Sequence, residues 1–121
     1  MTRALGIAFL LPVLAFAGDP VKGKEVVLSR GDGNCLLCHA VPGADRPAGN
    51  LGPSLAGVGS RFSADELRRR LIDVSRFNPG SVMPPYGRVE GLYSVAPQYR
   101  GKPLLTKREI EDAVAYLLTL K

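Results

Sequence analysis

Both cysteines and the only histidine of this 121-residue chain stand within five consecutive positions, Cys35-Leu36-Leu37-Cys38-His39. No other feature restricts the fold so strongly, because the rest of the chain must surround whatever these side chains hold. Three chemistries compete for them. A structural zinc ion takes four Cys or His ligands, and the chain has three such residues in all. A thioredoxin-type C-x-x-C disulfide belongs in a βαβ setting; no strand pattern with clean alternation is present, and His39 would be left without a role. Covalent attachment of a c-type haem uses every part. Cys35 and Cys38, on one helical turn, bring both sulfurs to the two vinyl groups along one haem edge, and His39 follows with its imidazole directed at the iron.

The N-terminus bears on where such attachment takes place. Met1-Thr2-Arg3 carries one cation, an apolar run extends from Ala4 to Ala17, and Ala15-Phe16-Ala17 closes it with small residues before Gly18-Asp19-Pro20. This reads as a secretory signal peptide over residues 1–17. The run is 14 residues long and broken by Gly6 and Pro12, short of the roughly 20 apolar residues that span a bilayer. An uncleaved single anchor is the competing reading. Haem attachment of this kind takes place outside the cytoplasm, so leader and motif agree on an exported, soluble, periplasmic protein. Removing 17 residues from 121 leaves 104, one domain over residues 18–121. So short a domain buries a limited share of its surface and often needs a staple or a bound group.

Net charge says less. Without Arg3 there remain 15 Lys and Arg against 11 Asp and Glu, a net of +4, too weak to indicate nucleic-acid binding. Asp65 lies four residues before Arg69 and Glu66 four before Arg70, the favourable order for pairs on a helix surface. Arg68-Arg69-Arg70 therefore reads first as a solvated helix face and second as a docking patch.

Three helices are legible. Asp19-Pro20 is an N-cap followed by a first-turn proline, opening a helix to about Ser29, and Gly31-Asp32-Gly33-Asn34 stops it. Ser63-Ala64-Asp65-Glu66 is a capping box, with Phe62 and Leu67 placed as a hydrophobic staple, for a helix over 63–75. Leu67, Leu71 and Val74 give it an apolar stripe. Thr106-Lys107-Arg108-Glu109 repeats the box, with Leu105 against Ile110, and Ile110, Val114, Leu117 and Leu118 form the buried face. Between the helices lie Gly- and Pro-rich stretches, 40–60 and 78–103. Loops so long without secondary structure are uncommon in a compact domain unless they wrap a ligand.

In this order of elements the chain resembles the class I, monohaem cytochromes c over nearly all of residues 18–121. The resemblance implies an all-α fold, three to four helices and long loops wrapped around one covalently bound haem. The family's Gly-Pro loop corresponds to Gly49-Asn50-Leu51-Gly52-Pro53-Ser54-Leu55. There the carbonyl of the matching proline accepts the Nδ1–H of the proximal histidine, so Pro53 is expected to orient His39, although Gly52-Pro53 alone would also suit an ordinary turn. The family's N- and C-terminal helices cross at a glycine, here Gly23, with Tyr116 or Leu117 opposite. Glycine inside a helix costs about 1 kcal/mol relative to alanine, which close helix approach would explain; a poor, flexible N-terminal helix is the alternative.

The second axial ligand follows the same pattern. With Met1 removed, Met83 is the sole methionine, in Ser81-Val82-Met83-Pro84-Pro85-Tyr86. The prolines hold it on a stiff extended loop. A lone methionine is often core filler, but the order haem motif, Gly-Pro loop, helix, Met-Pro loop matches the family and makes Met83 the expected ligand. A lysine is the residual alternative. Thioether ligation raises the reduction potential, and iron ligated on both faces by His39 and Met83 serves electron transfer.

Within that class the chain is similar to the SoxX family, the smaller cytochromes of SoxAX complexes in bacterial thiosulfate oxidation. The similarity rests on residues 33–39, 71–79, 82–87 and 100–106, above all the block from Arg76 to Gly87 with its Met-Pro-Pro-Tyr. It implies a SoxA-like haem protein as partner in a heterodimer. That complex oxidatively joins thiosulfate to a cysteine of the SoxYZ carrier, an L-cysteine S-thiosulfotransferase activity, and the SoxX haem passes electrons to a small soluble cytochrome. Cys35 and Cys38 would both be consumed by thioether bonds, so catalysis would reside on the partner. A free, diffusible periplasmic cytochrome c serving an oxidase or another dehydrogenase is the alternative. An apolar haem edge favours the first and a ring of lysines the second; only Lys22, Lys24, Lys102, Lys107 and Lys121 remain after the leader. A ligand-binding sensor or peroxidase would require Met83 to be absent or displaceable.

Overall fold

The computed structural model describes residues 17–121, so the leader expected over 1–17 lies outside it apart from Ala17. Four helices follow one another: α1 (Pro20–Leu28), α2 (Val58–Arg61), α3 (Ala64–Asp73) and α4 (Lys107–Thr119), with short 3-10 turns at Cys35–Leu37, Val74–Arg76 and Pro97–Tyr99. Among the described residues there is no strand. The architecture is all-α, as expected.

Helix α1 begins where its cap begins. Asp19 Oδ1 accepts the N–H groups of Val21 at 2.8 Å and Lys22 at 3.3 Å, satisfying donors that the first turn leaves open. The N–H of Asp19 itself donates to Oδ1 of the buried Asp112 at 2.7 Å, which fixes the start of α1 on α4. The helices then touch at Gly23. A Cβ there would stand 1.8 Å from the Asp112 carbonyl oxygen and 2.8 Å from Tyr116 Cβ, so only glycine permits this crossing. Val26, Val27, Tyr116 and Leu117 fill the seam and are buried.

Both capping boxes are formed: Ser63 Oγ with the Glu66 N–H and Glu66 Oε2 with the Ser63 N–H, and the same exchange between Thr106 and Glu109. Helix α3 stops two residues before the expected position. Asp73 leaves helical geometry at φ −161° and its carboxylate caps the following 3-10 turn through the Ser75 N–H. Leu118, placed on the buried face of α4 from sequence, is half-buried.

The arginine run departs from its reading as a solvated face. Asp65 does pair with Arg69. Glu66, however, spends its carboxylate on the capping box, and Arg70 lies instead between the rings of Phe62 and Phe77, 4.5 and 4.9 Å from their centroids. Arg68 forks onto Glu111 of α4 at 2.5 and 3.0 Å, tying α3 to α4.

Helix α2 begins inside the stretch 40–60 that reads as loop and runs one residue past it. Gly57 enters it in the left-handed region at φ 72°, Val58 is buried, and Gly59 packs so closely on the end of α4 that a Cβ would lie 2.4 Å from the Leu118 carbonyl oxygen. Tertiary contact, not propensity, makes this turn helical.

Candidate functional site

The Cys–His turn hangs from the end of α1. Gly33 donates its N–H to Val26 O at 3.0 Å, Asn34 turns the chain in the left-handed region at φ 45°, and the 3-10 turn Cys35–Leu37 follows. The N–H groups of Cys38 and His39 both return to the Cys35 carbonyl, at 3.1 and 2.9 Å. Cys35 and Cys38 therefore share one turn, which the buried Leu36 anchors to the core while Leu37 between them is 66 % exposed. The thiols are not bonded to one another. Burial pushes the Cys35 thiol up to about 11.

The next loop closes over this turn. Gly49 donates to Leu36 O at 2.9 Å and Gly52 to Cys38 O at 2.8 Å, which brings Pro53 to the imidazole: His39 Nδ1 lies 2.6 Å from Pro53 O. A carbonyl only accepts, so Nδ1 carries the proton and donates, and the free lone pair is on Nε2. Gly52 rests against the ring itself. A Cβ would stand 2.4 Å from Cε1 and 2.6 Å from Nδ1 of His39.

Met83 is carried by the other long loop, 78–103. It is half-buried against the hydrophobic core, its N–H on Ser81 Oγ at 3.2 Å. The residues after it are clamped: the N–H groups of Tyr86 and Gly87 donate to Leu71 and Ile72 carbonyls, each at 3.1 Å, and Leu105 N–H donates to Tyr86 O at 3.1 Å. Contacts thus bring Cys35, Cys38, His39 and Pro53 together directly. Among the described residues, Met83 joins them through Tyr86, whose hydroxyl donates to Gly33 O at 2.5 Å.

Two supports escaped the sequence reading. One is Tyr86, whose only signal was its place after Met-Pro-Pro. The other is Asp73, buried at the end of α3. It accepts Ser75 Oγ at 2.5 Å and faces Arg88 and Arg76 at 3.5 and 3.7 Å, linking α3 to the Met83 loop. The Ser75 hydrogen bond, helped by both arginines, holds its carboxyl below the usual range.

The donor set fits haem c. Two thiols lie on one turn, an imidazole presents Nε2, and a thioether stands on a separate loop. Leu37 and Val82, next in sequence to Cys38 and Met83, and Leu51 of the Gly-Pro loop are 66, 78 and 75 % exposed. Among the described residues no group of three or more His, Cys, Asp or Glu gathers as a zinc site would. A cleft of about 300 Å³ opens beside Arg30, Asn34, Leu37 and Arg46, but neither His39 nor Met83 lines it, so the donor chemistry locates the site better than the cleft does.

Comparison with known proteins agrees. The family described as Cytochrome c matches residues 20–121. An uncharacterized lipoprotein of Aquifex aeolicus is 34 % identical over 85 residues, 70 % of this chain and 35 % of that protein, so the chain spans about a third of that relative's length. The crystal structure of SoxXA from P. pantotrophus holds a chain that superposes with a TM-score of 0.79 at 31 % identity, covering 88 % of this chain and 85 % of that one. The c-type cytochrome SorU from Sinorhizobium meliloti gives a TM-score of 0.52 at 25 % identity, covering 84 % and 88 %.

Proposed function

The chain belongs to the cytochrome c family, an electron-transfer protein of the all-α class I fold with covalently bound haem c, and we propose that it is the SoxX-like subunit of a thiosulfate-oxidising complex. The observation that carries the finer reading is the likeness to a SoxXA chain over nearly the whole domain, closer in shape than that to SorU.

In this reading one haem would be held through Cys35 and Cys38, with His39 and Met83 as the residues that would ligate its iron. When bound, it supplies reversible one-electron change at the iron. The chain's own residues set how well that change is used. The Pro53 carbonyl accepts the Nδ1–H hydrogen bond, which leaves Nε2 of His39 as the nitrogen that would ligate the iron and would strengthen the imidazole as a ligand. Gly52 excludes any side chain that would tilt the ring. Met83 would contribute a neutral, soft donor that favours the ferrous state.

The partner is a SoxA-like haem protein. With both thiols engaged, attachment of thiosulfate to a SoxYZ cysteine takes place on that partner, and this chain receives the electrons and passes them to a small cytochrome. Exposed Leu37, Leu51 and Val82, next in sequence to the candidate haem residues, favour a lasting apolar interface over transient docking. Of the five lysines, Lys22 and Lys24 lie on α1, Lys107 opens α4 and Lys102 falls in the loop that bears Met83. Residues 1–17 act as a leader for export to the periplasm, the domain being 18–121; among the described residues no helix is long and apolar enough to cross a membrane.

Affinity capture of the tagged, haem-loaded protein from its native periplasm tests this, with haem staining and a thiosulfate-dependent reduction assay. A stoichiometric second haem protein and reduction of the haem by thiosulfate are expected. A lone monomer, unreduced by thiosulfate even with SoxA and SoxYZ added, leaves a general electron carrier.

A further inference from the structure

Among the described residues, one side-chain hydrogen bond ties the loop bearing Met83 to the segment that leads into the Cys–His turn. Tyr86 is 7 % exposed, and its hydroxyl donates to the Gly33 carbonyl at 2.5 Å, a contact between residues 53 apart in sequence. Both ends of this strap are fixed. Gly33 is held on α1 by its N–H, and a Cβ there would lie 2.7 Å from Val26 O and 3.4 Å from Cys35 Sγ. The Tyr86 backbone is clamped on both sides, by Leu71 O and by the Leu105 N–H. Between Tyr86 and Met83 stand Pro84 and Pro85, whose rings lock φ. A shift of the tyrosine is therefore transmitted to the thioether. Burial also raises the Tyr86 phenol well above its ordinary range, so it stays protonated and able to donate.

We propose that Tyr86 is a positioning residue for Met83: its hydroxyl bond to Gly33 sets how firmly the thioether is held at the iron. The proposal rests on Met83 being an axial ligand. A neutral thioether competes with added ligands by its effective concentration at the metal, and that concentration falls when its loop gains freedom. The hydroxyl alone is the variable, because the ring that fills the core is unchanged in phenylalanine.

Imidazole binding to the ferric holoprotein, measured in wild type, Tyr86→Phe, Met83→Ala and the double variant, tests this, with circular dichroism as the check on folding. Imidazole must displace Met83 in wild type but not in Met83→Ala. Loss of one buried hydrogen bond corresponds to roughly a three- to tenfold gain in apparent imidazole affinity for Tyr86→Phe. In the Met83→Ala background the same change leaves affinity within about twofold. An unaltered affinity in Tyr86→Phe overturns the strap while leaving Met83 as ligand. So does an equal gain in both backgrounds, which marks a general loosening of the site. A Met83→Ala protein with the wild-type ferric spectrum and imidazole affinity overturns the ligation reading, and the strap with it.

Discussion

The loops that carry Pro53 and Met83 are anchored in different places. The Gly-Pro loop is bound to the Cys–His turn by main-chain bonds from Gly49 and Gly52, by the bond between His39 and Pro53, and by glycine packed onto the imidazole. All of this joins the loop directly to the Cys–His turn. The Met83 loop has main-chain bonds too, but they run to the end of α3 and to Leu105, and it meets the segment before Cys35 through the Tyr86 hydroxyl on Gly33. Direct contact fixes one side of the site, and supports placed outside the Cys–His turn fix the other. The contrast predicts that the histidine side tolerates less change than the methionine side, and it is at the latter that an electron carrier and a ligand-binding protein would diverge.

The strongest way to break this contrast is Gly52→Ala. Its Cβ meets the His39 ring at 2.4 Å, so the yield of haem-loaded protein should fall by about tenfold or more, through lost positioning of the ligand. Gly87→Ala is the matching change on the other loop. Its Cβ meets Ile72 at 3.2 Å, a contact that small shifts relieve, and haem loading should stay within about twofold of wild type. Equal losses in the two variants would dissolve the distinction.

Met83→Ala should keep the helical signal and the haem while lowering the reduction potential by roughly 0.1 V or more, within the ~0.8 V range that axial ligands span. Redox titration measures it, and an unchanged potential would remove Met83 from the iron. Gly23→Ala probes the scaffold instead. Its Cβ would sit 1.8 Å from the Asp112 carbonyl, so α1 must lift from α4. Stability should fall by roughly 2–3 kcal/mol, about 10–20 °C in Tm, with the ferric spectrum intact.

The smallest effect concerns pH. Asp73 titrates below its ordinary 3.8 in the folded protein, so its contribution is complete above that value and is lost as pH falls below it. Asp73→Asn should therefore flatten part of the acid side of the stability curve, read as Tm against pH. Asp65 and Glu66, also held low, keep the remainder.

Much of this was legible because it is local. Caps at Asp19, Ser63 and Thr106 mark helix starts by side-chain chemistry within three or four residues, and each starts a helix. The tight spacing of Cys35, Cys38 and His39 likewise needs no tertiary information. Gly23 was readable only through the cytochrome pattern, since the carbonyl it meets belongs to a residue far along the chain. Helix α2, the Arg68–Glu111 fork and the Tyr86 strap were not readable, because each depends on a partner that only folding supplies. Glu66 and Arg70 show the complementary error: correct spacing for a pair, but a cap and two aromatic rings compete for the charges.

The most direct measurement is near-infrared magnetic circular dichroism of the ferric holoprotein, with peptide mapping of residues 31–46 on the same sample. Low-spin iron with histidine and thioether axial ligands, and haem covalently on the peptide containing Cys35 and Cys38, is the predicted result. A high-spin iron, a histidine–amine signature, or haem absent from that peptide would contradict it.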